Sequence, residues 1–436
     1  MDPNAHTTDK YLLLKTREAG LIDMFLVLFS GDLKNKCFIE HNNVKEEIFR
    51  RRAAFSSSMF LQKALQKHEK CLSMIGSGFE TCLNVFGNRS NLATFLKNLF
   101  KGNVVVPDRT TASFVSIVGH LDNRVELDKN IKPGTTKYFA NLSAMASKLA
   151  YENKEFIRHV VEKIWKGETT QAFILLDKNT DTIIVAFRGT EPFTADDWCT
   201  DLDISGFMNA LGLQLDRTWP ENTTNTGDKH HHHHAYNTIT ETLKRYFKST
   251  SNNYRPKQFI LTGHSLGGAL AALFPAVLAV HDETEMLGRL DAVYTFGQPR
   301  VGDAKFGRFM KEKFEQYSVK YRRFVYSHDI VPRVPFDDSA LMFKHFGPCI
   351  YINTLYEAKV LEEEPWKNYF ECGEFVNKRV DAMWEVVRGI VLPHMFGPEY
   401  KEGLLLLMFR MGGLVFPGLP AHGPQDYINA TRLATY

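Results

Sequence analysis

Ser265 stands at the centre of Gly263-His264-Ser265-Leu266-Gly267, a spacing that puts a hydroxyl nucleophile on a sharp turn. The residues before it, Gln258 to Thr262, read as a buried strand, and those after it, Ala269 to Ala279, are apolar at helical spacing. Strand, tight turn and helix together are the context in which a serine is lifted clear of its backbone. Gly263 and Gly267 permit the turn, and Gly268 lets the helix pack close to the strand. A serine hydroxyl is a weak nucleophile on its own. It needs a base to take its proton and an acid to orient that base, and in this architecture the acid follows the serine and the histidine follows the acid.

Candidate bases downstream are His328, His345, His394 and His422, and the best acid candidate is Asp329. Asp329 closes the apolar run Phe324-Val325-Tyr326 and precedes Ile330-Val331-Pro332, so it sits at a strand end before a proline loop. Spacing alone reads it equally well as a turn or cap residue. His328 is its immediate neighbour. His422 lies in Pro420-Ala421-His422-Gly423-Pro424, a loop leading into a terminal helix over Asp426 to Leu433, from which a histidine can reach over the elbow. His345 and His394 sit among bulky apolar residues, which favours packing or capping roles. His422 therefore leads without closing the choice.

A tetrahedral intermediate also needs backbone donors for its oxyanion. Leu266, the residue after the nucleophile, offers one N–H. The strand Thr182 to Phe187 ends in Arg188-Gly189-Thr190, where Thr190 offers an N–H and a hydroxyl, although the same three residues also suit an ordinary strand-ending turn.

Taken together these pieces resemble the class 3 lipases of the α/β-hydrolase superfamily, most closely the plant oil-body triacylglycerol lipases. The resemblance is carried by VAFRGTEPFTADDWCTD (Val185 to Asp201), TGHSLGGALA around Ser265, TFGQPRVGD (Thr295 to Asp303), HDIVPRVPF (His328 to Phe336) and GLPAHGPQDYINATRL (Gly418 to Leu433). It runs from about residue 100 to the C-terminus. It implies Ser265 as nucleophile, Asp329 as acid, His422 as base, and Thr190 with Leu266 as the oxyanion hole, and so settles the choice of histidine. It further implies a serine esterase that hydrolyses triacylglycerol or a related acyl lipid at a lipid-droplet (oil-body) surface or a cytosol-facing membrane, with no metal or organic cofactor. One departure stands out. Trp198-Cys199-Thr200-Asp201 runs through Leu202 to Ser205 straight into Gly206-Phe207, where the family carries a further segment with a strand. Two alternatives follow, a phospholipase A1 or galactolipase of the same superfamily and a catalytically impaired lipid-surface protein.

The net charge of +3 over 436 residues gives no ground for a nucleic-acid partner, and six cysteines without a C-x-x-C pair give none for a zinc site or a disulfide framework. Phenylalanine is frequent, at 33 residues, as a large core or a lipid-facing surface would require. The polar start, Met1 to Lys10, lacks a signal-peptide pattern, so the expectation is a protein that is not secreted. No run of eighteen uninterrupted apolar residues offers a bilayer span.

The elements that must position these groups follow from periodicity. Strands are expected near 171–177, 182–188, 258–262, 291–296 and 321–326, alternating with helices near 137–165, 236–248 and 303–315. Such alternation predicts an α/β fold with a mostly parallel sheet covered on both faces. This catalytic region spans 106–436, behind a helical N-terminal extension, 1–105, that includes the charged stretch Glu46 to Lys70. Within the extension, Phe79, Leu83 and Phe86, then Leu92, Phe95, Leu96 and Leu99, make apolar stripes fit either for a core or for lipid anchoring. Pro220 to Lys229 reads as a polar loop that continues into the run His230 to His234. Gly403 to Leu419 is apolar apart from Arg410, and reads first as a buried element beside the active site, second as an acyl groove or interfacial rim.

Overall fold

The computed structural model describes residues 12–14, 39–41, 74–85, 101, 108–165, 173–189, 230–248, 256–334, 343–367 and 375–436. A short antiparallel pair, β1 (Leu12–Leu14) and β2 (Ile39–His41), stands apart from the main sheet. The main sheet has seven strands in chain order: β3 (Ile174–Asp177), β4 (Thr182–Phe187), β5 (Gln258–His264), β6 (Leu290–Phe296), β7 (Lys320–Tyr326), β8 (Cys349–Ile352) and β9 (Ala358–Leu361). β4 through β8 pair parallel, and antiparallel β3 and β9 close the edges.

Parallel strands need crossovers, and crossover helices bury both sheet faces, so the central strands are apolar on both sides. The alternation of side chains divides them cleanly. Ile184, Ala186 and Ile260 join Tyr294 and Phe324 in one core, packed under α1 (Thr136–Leu149) and α7 (Pro424–Leu433). Ile183, Val185, Phe259 and Leu261 join Ala271, Leu278 and Met310 in the other, under α2 (His230–Lys248), α3 (Leu266–Val280) and α4 (Ala304–Tyr317). With a serine elbow after β5, this is the α/β-hydrolase arrangement expected from the sequence.

Several expectations change in detail. The helix expected over 137–165 breaks at Ala150 to Asn153, because the Asn153 side chain accepts the Phe156 N–H and starts a second helix, Lys154–His159. The five-histidine run is not loop: α2 begins at His230. Strands β8 and β9 were not expected. They are four residues each, too short for a period to show, and the turn between them is held by Asn353 Oδ1, which accepts the N–H groups of Leu355 and Glu357.

Residues 74–85 are helical, and of the expected stripe Phe79 is exposed while Leu83 is half-buried. The docked face is polar: Asn84 exchanges two 2.8 Å hydrogen bonds with the backbone of Val115, and Glu80 accepts the Ile117 N–H. Met74, Ile75 and Phe79 face outward, with Met74 70% exposed. Glu46 to Lys70, Phe86, Leu92, Phe95, Leu96 and Leu99, the Pro220 to Lys229 loop, and the junction from Trp198 to Phe207 lie outside the described residues.

Between β9 and His422 come two helices, α5 (Phe375–Phe396) and α6 (Leu404–Gly412), and here too the polarity is inverted. The expected burial of Gly403 to Leu419 does not hold. Leu404, Met408, Met411, Val415, Phe416 and Leu419 are exposed, whereas Leu406 and the charged Arg410 are buried.

Candidate active site

Ser265 joins β5 to α3 at φ 59°, ψ −131°, a conformation that costs a residue with a side chain about 1–3 kcal/mol. Two main-chain hydrogen bonds of 2.9 Å hold it there: Ser265 N–H to the Phe296 carbonyl, and Gly268 N–H to the Ser265 carbonyl. The elbow closes only because Gly263 and Gly267 lack side chains. A Cβ at Gly263 would lie 2.0 Å from the Gly267 carbonyl oxygen, and one at Gly267 would lie 2.2 Å from that of Phe187.

His422 occupies a single 3-10 turn, Pro420–His422, ahead of α7. Its Nε2 lies 2.8 Å from Ser265 Oγ, and its Nδ1 lies 2.9 and 3.0 Å from the two Asp329 carboxyl oxygens. A carboxylate only accepts, so Nδ1 carries the proton, and Nε2 is left to receive the proton of the serine. Asp329 is fully buried after β7. It accepts two further hydrogen bonds, from the Val331 N–H at 2.9 Å and from the Tyr427 hydroxyl. Burial and the neighbouring Asp329 push the Tyr427 hydroxyl well above its ordinary range, so it stays a donor. Arg333 fixes the acid loop from beneath, donating to the carbonyls of Ser327 and Asp329 and to those of Pro365 and Trp366 on the chain after β9.

His264, inside the elbow, lies against His422 with ring centroids 4.6 Å apart. Its Nε2 is 2.7 Å from the His422 carbonyl, which can only accept, so Nε2 donates and Nδ1 takes the Tyr151 hydroxyl proton at 2.9 Å. Burial first, and His422 second, hold His264 far below its usual pKa. It is a neutral strut for the turn that carries His422.

The other histidines go elsewhere. His328 stacks on Trp366 and pairs with Asp381 at 2.9 Å. His345 is packed, 2.7 Å from the Pro332 carbonyl, its pKa lowered to about 3 by burial. His394 is exposed in the last turn of α5. Leu266 opens α3, so its N–H precedes the first intrahelical acceptor and is available to a ligand. Thr190 lies outside the described residues.

Sequence reasoning placed Ser265, Asp329 and His422, and the geometry brings these three together. It missed Tyr427 and Tyr151, which have no spacing signal relative to Ser265, and the role of His264, which stood in the elbow motif directly before Ser265. It also missed Gly297, at φ 59°, where a Cβ would lie 2.9 Å from an Asp329 carboxyl oxygen and 3.0 Å from the His422 ring. A glycine directly after the apolar strand end Tyr294-Thr295-Phe296 was the available signal.

The family described as Lipase (class 3) matches residues 184–339. Triacylglycerol lipase OBL1 of Arabidopsis thaliana is 34% identical over 500 residues, covering 99% of this chain and 96% of that protein. Triacylglycerol lipase OBL1 of Nicotiana tabacum is 36% identical over 474 residues, covering 86% of this chain and 82% of that one. Among solved structures, the lipase from Rhizopus microsporus var. chinensis is 23% identical with a TM-score of 0.32, covering 58% of this chain and 86% of its own.

Proposed function

The chain belongs to the class 3 lipase family, a carboxylic ester hydrolase by that membership, and on that premise we propose that it hydrolyses triacylglycerol at a lipid-droplet surface through Ser265, His422 and Asp329. The observation that carries the reading is the unbroken relay in which Ser265 Oγ, His422 and Asp329 stand within 3.0 Å of one another in turn. Ser265 Oγ attacks the ester carbonyl while its proton passes to His422 Nε2. The oxyanion of the tetrahedral intermediate is met by the Leu266 N–H and by Thr190. His422 then protonates the departing glycerol oxygen, the C–O bond breaks, and an acyl-Ser265 remains. Water, deprotonated by His422, attacks that ester, and His422 returns the proton to Ser265 Oγ as the acyl C–O bond breaks and the fatty acid leaves. Asp329 stays a carboxylate throughout and steadies the imidazolium.

The surface is supported by the outward faces of α5 and α6. Val376, Val380, Met383, Val387 and Ile390 recur at three- and four-residue spacing and are all exposed, and exposed apolar residues continue on α6 and past its end to Leu419, three residues before His422. Such a side chain contributes about 1.5–3 kcal/mol when fully buried and these are about half to two-thirds exposed, so four inserted together contribute roughly 3–7 kcal/mol, comparable with a single myristoyl chain with its K of about 10⁴ M⁻¹. The triacylglycerol named for the plant relatives is carried to this chain by the same membership.

A second reading, an impaired lipid-surface protein, is favoured by one observation. The alignment with the Arabidopsis relative is longer than this chain, so some of that protein's positions have no counterpart here. Labelling the purified full chain with a fluorophosphonate decides between the two, because only an activated serine reacts. Modification of Ser265, with faster release of fatty acid from emulsified trioleoylglycerol than from phosphatidylcholine or galactolipid vesicles, supports the lipase. An unlabelled, folded protein supports the impaired one.

A further inference from the structure

The inward face of α5 carries Lys378, Ala382, Glu385, Arg388 and Leu392, and that of α6 carries Leu406 and Arg410. Charges dominate where a core helix would place leucines. Arg388 and Arg410 converge on Asp426, fully buried in the first turn of α7. Asp426 accepts from Arg388 Nη2 at 2.7 Å, from Arg410 Nη1 and Nη2 at 3.0 Å each, and from the Tyr356 hydroxyl at 2.9 Å. Arg410 also forks onto Glu402 with two 2.6 Å bonds, and Arg388 reaches the Tyr326 hydroxyl and the Thr354 carbonyl. Every polar atom of the Asp426 carboxylate is used.

Burying ions this completely costs several kcal/mol apiece, and well-packed apolar replacements are often as stable. Stability alone is therefore a poor account of the cluster, and what it touches gives a better one. Asp426 precedes Tyr427, which donates to Asp329, and follows His422 by four residues. Tyr326, held by Arg388, gives its N–H to the Tyr427 oxygen and accepts the Asp329 N–H at its carbonyl. Arg388 thus ties the two chain segments that present Asp329 and His422, through Tyr326 and Asp426, and Arg410 holds the second of them through Asp426.

We propose that Asp426, clasped by Arg388 and Arg410, is a positioning residue for the triad, fixing the first turn of α7 so that His422 and Tyr427 meet Ser265 and Asp329 in register. The proposal rests on the triad reading above. It makes the lipid-facing helical pair a mechanical part of the active site, since the same two helices that carry the outer apolar row carry the arginines that hold α7.

The test uses the full chain and a soluble short-chain ester. Asp426→Asn keeps the shape of the side chain and removes its charge; a displacement of about 1 Å at a catalytic group costs on the order of 100-fold. The expected result is kcat lower by about 10- to 100-fold, KM within about twofold, and fluorophosphonate labelling of Ser265 slowed in proportion. Arg410→Lys and Arg388→Lys keep the charge and lose the fork, and each is expected to give a smaller kcat loss in the same direction with KM unmoved. They also carry the test if Asp426→Asn does not fold. A fall in melting temperature with kcat per labelled serine unchanged in all three overturns the proposal and leaves the triad standing. A wild-type protein that does not label overturns the triad reading, and the proposal with it.

Discussion

Along β4 and β5 apolar side chains face inward and the chemistry is delivered at the strand ends, whereas along α5 and α6 the apolar side chains face out and arginines face in. The first arrangement is what water imposes on a sheet covered by helices. The second is uphill in water on both counts, exposing valine and methionine while stripping guanidinium groups of solvent. A polypeptide segment folded this way is suited to a surface that is itself apolar, with its polar groups reserved for a partner within the protein. The helix at 74–85 repeats the pattern on a smaller scale, docking through Asn84 and Glu80 and displaying Met74, Ile75 and Phe79.

The comparison breaks most sharply at the triad. Ser265→Ala and His422→Ala are expected to lower turnover of any ester by on the order of 10⁴- to 10⁶-fold with little change in melting temperature, because nucleophile, base and acid act as a unit. His394→Ala, on the exposed side of α5, is expected to leave turnover of a soluble ester near wild type. Steady-state kinetics on the three proteins checks this, and an equal loss at His394 would undo the assignment of the base.

How much of this was legible beforehand follows the same division. The elbow and the two long helices after β5 and β6 announce themselves through glycine spacing, β-branched runs and 3.6-residue periodicity, all of them local signals, whereas for Asp329 the same signals suit a turn or cap residue equally well. His422 needed more than spacing, because its partner Asp329 is 93 residues away and only the fold brings them together. The reading of Gly403 to Leu419 as buried failed for a plain physical reason. Hydropathy shows that a segment avoids water, but it does not distinguish a protein interior from a lipid surface. Arg410 was the visible exception in that run, and it is buried more completely than the leucines around it. Strands β8 and β9 and the Tyr427 contact were out of reach because each depends on a register set by distant chain.

The outer row gives the next largest effect. Replacing Val380, Met383, Val387 and Ile390 with Ser removes roughly 1 kcal/mol or more of transfer energy per position, so partition onto trioleoylglycerol droplets is expected to fall by about 100-fold or more. Hydrolysis of a soluble short-chain ester does not use that surface and is expected to change less than about twofold. Flotation of the protein with droplets, run beside the soluble assay, measures both. Serine at Met74, Ile75 and Phe79 is expected to weaken flotation less, since that row is shorter. If the N-terminal variant loses flotation and the α5 variant keeps it, the lipid-facing region lies before the catalytic domain and the inverted helices need another explanation.

The smallest expected effect concerns Glu385, the third carboxyl of the cluster, which faces Arg388 on its own helix, Arg410 on α6, Asp426 on α7 and Tyr326 on β7. Burial, and then the charge of Asp426, push its carboxyl up to about 7 from an ordinary 4.5, against the pull of the two arginines. A carboxyl with a raised pKa in the folded state holds its proton more tightly there than in the unfolded chain. Its contribution to stability is therefore full below about 4.5 and is lost as the pH rises through about 7. Above that, the ionised Glu385 adds a third carboxylate opposite two arginines and competes with Asp426 for Arg410. Glu385→Gln fixes the neutral form. The variant and the wild type are expected to melt together near pH 4.5, and the variant to melt higher at pH 8.5 by on the order of 2–4 °C. Asp426, which Arg410 and Arg388 hold below its ordinary range against its burial, is ionised in both proteins from pH 4.5 to 8.5, so its own titration does not enter the difference over that range. Thermal melts of the pair across this range read the effect directly. Curves that keep a constant separation at every pH would mean that Glu385 is already ionised in the folded protein and that the cluster holds three carboxylates at once.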